Sequence, residues 1–225
     1  MRLSIIIPVL DEERAIGGAV EDLSSIEPHE IIVVDGGSTD RTAEIVRAGP
    51  GRLATSSRGR AAQMNEGARH ATGELLLFLH ADTTLPATAR LDLEGCMTDP
   101  DCVGGRFDIR LDSTRPLLRV VGRMISLRSR LTRVATGDQA IFVRRAVFER
   151  LRGFPEIPIM EDVAFCRALK RQGRIACLRS RVVSSARRWE QHGPVRTILL
   201  MWALKLLYLA GVQPATLKRL YSEAR

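Results

Sequence analysis

Short apolar runs alternate with helical stretches along the first 82 residues, and this alternation limits the fold more than any other feature. Four runs, at 3–9, 30–35, 53–56 and 74–79, are short and largely apolar, which is typical of buried strands. A helical pattern separates each run from the next. Because right-handed crossovers join parallel strands through helices, we predict an α/β fold with a Rossmann-like, mainly parallel sheet and helices on both faces.

Two of these strands lead directly into an acidic residue. The second run ends at Asp35, and the fourth is followed by His80, Ala81 and Asp82. Ligands bind outside the carboxyl ends of parallel strands, so we expect both carboxylates at one edge of the sheet. A carboxylate there suits a divalent metal ion and a phosphate-bearing substrate. The alternative for Asp82 is a turn cap, since Asp followed by Thr83 and Thr84 is ordinary turn chemistry.

The rest of the chain predicts further helices and strands and a helical C-terminal part. A mostly apolar helix over 197–212 is too short to span a bilayer and is interrupted by Lys205. We therefore expect one domain over 1–193 and a helical extension over 194–225 that packs on the domain or on a membrane surface. The other predicted elements are helices at 86–97, 117–132, 146–151 and 160–172, strands at 103–111, 175–178 and 182–184, and a loop that enters a strand over 137–143.

The charge favours an anionic partner. With a net charge of +8 and a pI of about 10.1, the candidates are nucleotide diphosphates, phospholipids and nucleic acids. Aromatic residues make up 4% of the chain, which argues against base-stacking surfaces for single-stranded nucleic acid. Arg119, Arg123 and Arg130 fall near one face of the helix over 117–132. They form either a solvated basic face or a grip on a phosphorylated or membrane-borne acceptor.

The cysteines and the N-terminus bear on the compartment. The four cysteines are far apart and have no zinc-knuckle spacing, so we expect reduced thiols in the cytoplasm. No signal-peptide pattern precedes the first strand, and no run of 18 uncharged apolar residues occurs. The expected location is cytoplasmic, with peripheral contact to the inner face of the membrane as an option.

Three other classes of protein fit the sequence less well. Neither a Gly-x-Gly-x-x-Gly fingerprint nor a Walker loop is present, which disfavours dinucleotide and P-loop proteins. A nucleotidyltransferase needs a glycine-rich basic loop after the first strand, where this chain has the acidic segment 10–13. A basic protein that binds nucleic acid or anionic membranes does not need acids at three strand or helix ends.

The order of the motifs resembles glycosyltransferase family 2, which has the GT-A fold. The resemblance covers about residues 2–192 and is carried by the combination of motifs. Within the family, the chain is most similar to small single-domain bacterial proteins, some of which are grouped with arsenosugar biosynthesis. The matching segments are 5–12, 33–40, 59–68, 78–82, 137–139, 161–162 and 187–189.

The resemblance implies a role for each matching residue. Asp162 is the catalytic base, with Glu161 beside it, and Gly137 and Asp138 border the acceptor pocket. Asp82 holds Mg²⁺ or Mn²⁺ on the donor diphosphate. Asp35 hydrogen-bonds the base of the nucleotide. The residues implied for nucleotide-sugar binding are Pro8, Leu10, Glu12, Asp35, Gly36, Gly59, Arg60, Asn65, Ala81 and Arg188.

The residue types suit transfer of a sugar from a nucleotide-diphosphate donor to an acceptor hydroxyl. A hard metal ion and an arginine fork, from Arg187 or Arg188, would neutralise the leaving diphosphate. A single carboxylate base implies inversion at the anomeric carbon. The acceptor is a small molecule or a lipid-linked one, and no nucleic acid is involved.

Two residues depart from the family pattern and affect the metal site. His80 stands where the family has the first Asp of its Asp-x-Asp motif, and Asp11 stands where it usually has Asn. The metal would then be held by Asp82 with either His192 or water. The alternative for His192 is an ordinary histidine in a surface loop.

Overall fold

The computed structural model describes residues 1–223, and of Arg188, His192, Ser222 and Glu223 it describes the backbone only. The predicted alternation over the first 82 residues is confirmed. The strands it contains pair in parallel in the order β3-β2-β1-β4. The elements are β1 (Leu3–Val9), α1 (Ile16–Ser24), β2 (Glu30–Asp35), α2 (Thr42–Ala48), β3 (Arg52–Thr55), α3 (Arg60–His70) and β4 (Leu75–Phe78).

The second half of the chain extends this sheet in mixed orientation. The eight strands follow the order β3-β2-β1-β4-β7-β6-β8-β5, in which β7 is antiparallel to β4 and β6, and β5 is antiparallel to β8. The elements are β5 (Thr83–Thr84), α4 (Ala89–Met97), β6 (Cys102–Asp112), α5 (Pro116–Thr132), a 3-10 turn (Gly137–Gln139), β7 (Ile141–Arg144), α6 (Arg145–Arg150), α7 (Glu161–Leu169), β8 (Arg174–Ser185), α8 (Arg187–His192), α9 (Pro194–Leu209) and α10 (Pro214–Glu223).

Two details of the prediction are corrected here. The strands expected at 175–178 and 182–184 are one strand, β8, whose pairing with β6 shifts register between Phe107 and Asp108. The irregularity interrupts the alternation of side chains and so hides the continuity of the strand. The helix α8 was not expected.

Helices cover both faces of the sheet, as predicted. Ile5 and Ile7 of β1 pack in a core cluster with α1, α4 and α5, whereas Ile6 packs in a second cluster with α3, α6 and α7. Successive residues of a strand point to opposite faces, which explains this division. No helix in the described part of the chain has both the length and the hydropathy needed to cross a membrane.

The topology brings several chain segments to one edge of the sheet. β1, β2, β4, β6 and β8 run in the same direction, so their carboxyl ends share that edge. Because β7 runs the opposite way, the 3-10 turn that precedes it lies at the same edge. The residues that follow β4 and those that precede β7 are therefore neighbours, since Phe78 pairs with Ile141.

Candidate active site

The loops after β1 and β2 are joined by side-chain hydrogen bonds. Asp35 Oδ1 accepts hydrogen bonds from the backbone N and the Oγ of Ser38, at 3.0 and 2.5 Å. Asp11 Oδ1 accepts one from the backbone N of Thr39 at 2.8 Å, and the Asp11 backbone N donates to Ser38 Oγ at 2.9 Å. Asp35 is 7% exposed and faces this pair of loops. The two loops therefore form a preorganised rim at the carboxyl ends of β1 and β2.

A buried glutamine on α3 fixes the same strand ends. Gln63 Nε2 donates to the backbone O of Val9 at 2.7 Å and to that of Val34 at 2.9 Å. A Cβ atom on Gly36 would lie 3.0 Å from the Gln63 amide, so a larger residue at this position would press on the glutamine that fixes the strand ends. Gln63 was not among the predicted site residues. Its polar side chain on the inward face of a helix was the available signal.

Four charged side chains gather where β1 and β4 end. Burial raises the pKa of Glu12, the carboxylate of Asp82 raises it further, and the guanidinium groups of Arg187 and Arg60 oppose the shift. These charges act on Glu12 because they lie close to it. The Ser185 backbone N donates to the Asp82 backbone O at 3.2 Å, which places Asp82 beside the end of β8. The structure thus brings together Glu12, Arg60 and Asp82 of the predicted site.

Asp162 is held by backbone amides at the start of α7. Its Oδ2 accepts a hydrogen bond from the Gly137 backbone N at 2.8 Å, and its Oδ1 accepts one from the Val163 backbone N at 2.6 Å. Burial raises the pKa of Asp162, the two amides oppose that shift, and the Asp138 carboxylate adds to it. Met160, just before the helix, has a φ of 69°, a left-handed conformation that is strained for this residue.

The turn that contains Gly137 is held in place by the buried side chain of Gln139. Gln139 is fully buried, and its Nε2 donates to Ser129 Oγ at 2.9 Å. Its Oε1 accepts a hydrogen bond from the Thr136 backbone N, which completes a capping box. A Cβ atom on Gly137 would lie 2.9 Å from His80 Nε2 and 3.8 Å from Asp162 Oδ2. His80 therefore packs beside Gly137, on the side of the site that holds Asp162.

Glu161 is the buried neighbour of Asp162. It is 8% exposed, and burial together with the Asp162 carboxylate raises its pKa to about 7. Arg60 and Lys218 oppose the shift. Lys218 belongs to α10, so the C-terminal helices reach the acidic pair at the start of α7.

Two further cations lie near Asp162, and neither was predicted as a site residue. Burial lowers the pKa of Arg128 against the opposing pull of Asp138 and Asp162, and its Nε and Nη2 are buried without a hydrogen-bond partner. Burial and the nearby Arg128 lower the pKa of Lys205 to about 8, against the pull of Asp162. Lys205 had a visible signal, because it interrupts an apolar helix, whereas Arg128 is one of several arginines on α5.

Some predicted residues have other contacts. The Asn65 amide donates to the Phe154 backbone O at 2.9 Å and accepts from the Phe154 backbone N at 2.8 Å. Ala81 packs in the core below the site. Pro8 lies within β1, Leu10 follows that strand, and Gly59 precedes α3. The side chains of Arg188 and His192 lie outside the described residues.

The residues present fit a divalent cation that the donor diphosphate helps to bind. Over the described residues, no three His, Cys, Asp or Glu side chains converge as a metal cluster. Asp82 and Glu12 nevertheless place two carboxylates close enough for one to raise the pKa of the other. One or two carboxylates completed by substrate phosphates are the usual ligands of Mg²⁺.

Several solved structures share this fold. S. aureus TarS in complex with UDP superposes with a TM-score of 0.68 and 19% identity, over 82% of this chain and 60% of that one. Glucosyl-3-phosphoglycerate synthase from Mycobacterium tuberculosis, in complex with Mn²⁺, UDP and phosphoglyceric acid, gives a TM-score of 0.59 and 19% identity, over 82% and 69% of the two chains. These likenesses confirm the GT-A fold.

Sequence comparison gives the family. The chain is 28% identical over 162 residues to the undecaprenyl-phosphate 4-deoxy-4-formamido-L-arabinose transferase of Yersinia enterocolitica, covering 64% of this chain and 48% of that protein. It thus spans about half the length of that relative. The sequence model of Glycosyl transferase family 2 matches residues 4–152. With its GT-A fold and its acid-ended strands, the chain is a member of glycosyl transferase family 2.

Proposed function

We propose that this protein transfers a sugar from a nucleotide-diphosphate donor to an acceptor hydroxyl, at the edge of the sheet described above. The observation that carries the proposal is the placement of three acidic groups at that edge. Asp35 lies in the rim of the first two loops, Asp82 lies beside Glu12 and Arg60, and Asp162, at the start of α7, is hydrogen-bonded to the Gly137 turn. A turn cap, an ion pair or a helix dipole would explain each acid singly, but not the presence of all three at the same edge of the sheet.

The donor side of the site accounts for most of the predicted binding residues. In our proposal, Asp35 accepts a hydrogen bond from the base. Arg60 and Arg187 bind the diphosphate, since guanidinium groups pair with phosphate oxygens in a fork. A relative in fold, S. aureus TarS, has been solved with UDP-GlcNAc, which supports a nucleotide-sugar donor. The remaining residues proposed for this pocket are Pro8, Leu10, Glu12, Gly36, Gly59, Ala81 and Arg188, and Asn65 is proposed to lie beside it with its amide hydrogen-bonded to the Phe154 backbone.

The proposed metal ion is Mg²⁺ or Mn²⁺, held by Asp82 and the donor phosphates, with His192 as a further ligand. When bound, such an ion neutralises charge on the leaving diphosphate. The glucosyl-3-phosphoglycerate synthase structures, solved with UDP and either Mn²⁺ or Mg²⁺, support this choice. Glu12 lies close enough to Asp82 to share in holding the ion or its water.

Asp162 is the proposed base. It takes the proton of the acceptor hydroxyl while the acceptor oxygen bonds to the anomeric carbon and the bond from that carbon to the diphosphate breaks. One displacement of this kind inverts the configuration. The Gly137 and Val163 amides hold the carboxylate in position, and Asp138 borders the acceptor pocket. The proposed role of Glu161, with its raised pKa, is to adjust the charge next to the base.

The C-terminal helices are part of the proposed enzyme. In our proposal, α9 and α10 belong to an extension on the catalytic domain of 1–193, and Lys205 and Lys218 bring positive charge to Asp162 and Glu161. The proposed compartment is the cytoplasm, where free thiols such as these stay reduced. The acceptor is a small molecule or a lipid-linked one, in keeping with the Yersinia relative that is named for undecaprenyl phosphate.

The proposal is tested by a thermal-shift panel of UDP-, GDP- and dTDP-sugars with and without Mn²⁺. We expect at least one nucleotide sugar to raise the melting temperature, and to raise it more with Mn²⁺, because ligands that bind only the folded state stabilise it. Circular dichroism on the same sample checks that the protein is folded. Absence of any shift in folded protein would contradict the donor site.

A further inference from the structure

The exposed apolar side chains of this protein are concentrated on three helices. Thirteen large apolar side chains are exposed in the described part of the chain, and twelve of them belong to α5, α9 or α10, the other being Leu91 on α4. Scattered exposed apolar residues are ordinary on a soluble protein, whereas a concentration of them marks an interaction site.

On α5 the exposed residues form a continuous stripe. Their spacing of three and four residues places them on one face of the helix, and the exposed fraction rises to 77% at Leu131. The opposite face, which includes Leu118 and Val121, packs in the core. Packing against this domain therefore does not explain the outer stripe. Its members are Leu117, Val120, Met124, Leu127 and Leu131.

The helix α9 carries a second stripe of the same kind. Thr197 and Leu204 are buried on its inner face, and the spacing of the exposed residues again alternates between three and four. The two helices come close to each other at Arg128 of α5, whose guanidinium group lowers the pKa of Lys205 of α9. The members of the second stripe are Val195, Leu199, Trp202, Leu206 and Leu209.

A basic cavity borders the α5 stripe. It has a volume of about 660 Å³, and Leu127 forms part of its wall. Arg130 is already paired with Asp108, whereas Arg119 and Arg123 are exposed on the helix surface. Arginine favours phosphate because its fork matches two phosphate oxygens. The arginines lining the cavity are Arg110, Arg119, Arg123, Arg130 and Arg181, and they outnumber its three carboxylates, which belong to Asp108, Asp112 and Glu190.

We propose that the outer faces of α5 and α9 form a docking surface for an anionic lipid bilayer. The two apolar stripes enter the boundary between headgroups and acyl chains, and the arginines of the cavity bind lipid phosphates. Interfacial helices with an apolar face flanked by basic residues bind membranes in this way. The surface does not depend on sugar transfer, and it would place the proposed active site next to the bilayer.

Charge decides between a bilayer and a second copy of the chain. A symmetric dimer through α5 would bring Arg119 and Arg123 of both copies together around the apolar stripes, in a protein with a net charge of +8. Like charges placed together oppose association. Anionic lipids supply the opposite charge, and each basic residue near such a surface contributes about a fivefold gain in binding.

The test is vesicle binding by the full chain. The probes are vesicles of phosphatidylcholine alone and of phosphatidylcholine with about one third phosphatidylglycerol, whose anionic headgroups supply the negative surface potential. We expect co-sedimentation with the anionic vesicles and a blue shift of Trp202 emission. The change Trp189→Phe leaves Trp202 as the remaining tryptophan, since the chain has two.

Matched variants separate the apolar contribution from charge. Leu127→Glu and Leu206→Glu should each weaken partitioning by about tenfold or more, since charged groups are costly below the headgroups. The control is Leu91→Glu, which makes the same change at a leucine that is 71% exposed on α4 and should bind like the parent protein. Arg119→Gln with Arg123→Gln should weaken binding to anionic vesicles only.

Three results would overturn the proposal. One is no binding to either vesicle by folded protein. Another is an equal effect of Leu91→Glu and Leu206→Glu, which would show that net charge alone causes binding. The third is a concentration-dependent dimer in sedimentation velocity that Leu206→Glu abolishes, which would identify a second copy as the occupant. The nucleotide-sugar thermal shift, measured on the same samples, reports the donor site separately.

Discussion

The backbone amide of Gly137 donates a hydrogen bond to Oδ2 of Asp162 at 2.8 Å. These residues are far apart in sequence and belong to a turn before β7 and to the first turn of α7. The bond exists because β7 runs antiparallel to β4, which puts the preceding turn at the edge where the parallel strands end. A carboxylate held by two amides in a partly buried position keeps a fixed orientation, which a base needs.

The first prediction concerns that carboxylate. Asp162→Asn keeps the size of the side chain but removes its ability to take a proton. We expect sugar transfer to fall about 100-fold or more, the usual contribution of a positioned base, while donor binding persists. Transfer is measured as release of nucleoside diphosphate, and donor binding by thermal shift. Undiminished transfer by this variant would rule out Asp162 as the base.

The second prediction concerns metal dependence at Asp82. In the parent protein we expect the thermal shift with UDP to increase with Mn²⁺ and to return to the metal-free value with EDTA. In Asp82→Asn the shift should be the same with and without Mn²⁺, because the carboxylate ligand is lost. Asp22→Asn, at an exposed position of α1, is the matched control. A metal effect that survives in Asp82→Asn would place the ion on other ligands.

The third prediction follows from the raised pKa of Glu161, about 7 in the folded protein. An ordinary glutamate titrates near 4.5, so between these values the folded state binds a proton that the unfolded state does not. Stability therefore falls as the pH rises through this window. Glu161→Gln stays neutral throughout. We expect it to be about 2 to 3 kcal/mol more stable than the parent protein at pH 8 and nearly equal to it at pH 4.

Urea unfolding of both proteins across this pH range measures the difference. Glu21→Gln, at an exposed position of α1, should track the parent protein at every pH. If Glu161→Gln is instead less stable than the parent protein at pH 8, the folded state stabilises the ionised Glu161 carboxylate relative to the unfolded state. That result would contradict the assignment of burial and the neighbouring Asp162 as the cause of the shift.

The sequence predicted one part of this molecule well because the signal there is local. Each strand of the first half is a short apolar run followed by a helical pattern, and the acids at Asp35 and Asp82 mark where strands end. The second half is harder. β5 has two residues, β8 contains a register shift, and the helix α8 is short, so none of them has a clear period.

The site residues that could not be predicted from the sequence are brought together by contacts between distant segments of the chain. Arg128 and Lys205 approach Asp162 from α5 and α9, and no local pattern reports that meeting. The sequence shows Lys205 as a cation in an apolar helix, but it does not show that Asp162 lies near it. For His80, the family pattern drew attention to the metal, whereas the register of β4 and β7 places its ring beside Gly137.

The last prediction tests Asn65, for which the family pattern and the structure suggest different roles. The pattern implies a place near the ribose and phosphates, whereas its amide makes two hydrogen bonds to the Phe154 backbone. If that contact is its main role, Asn65→Ala should lower the free energy of unfolding by about 1 to 3 kcal/mol, because two backbone groups lose their partner. UDP affinity in the folded variant should stay unchanged.

Asn65→Asp refines the comparison. Its carboxylate still accepts from the Phe154 backbone N but no longer donates to the backbone O, so the loss of stability should be smaller than that of Asn65→Ala. Arg69→Ala, on the exposed side of the same helix, controls for a change in helix propensity. Urea unfolding gives the stabilities, and calorimetric titration with UDP gives the affinities. A large loss of UDP affinity at unchanged stability would instead show that the Asn65 side chain binds the nucleotide directly.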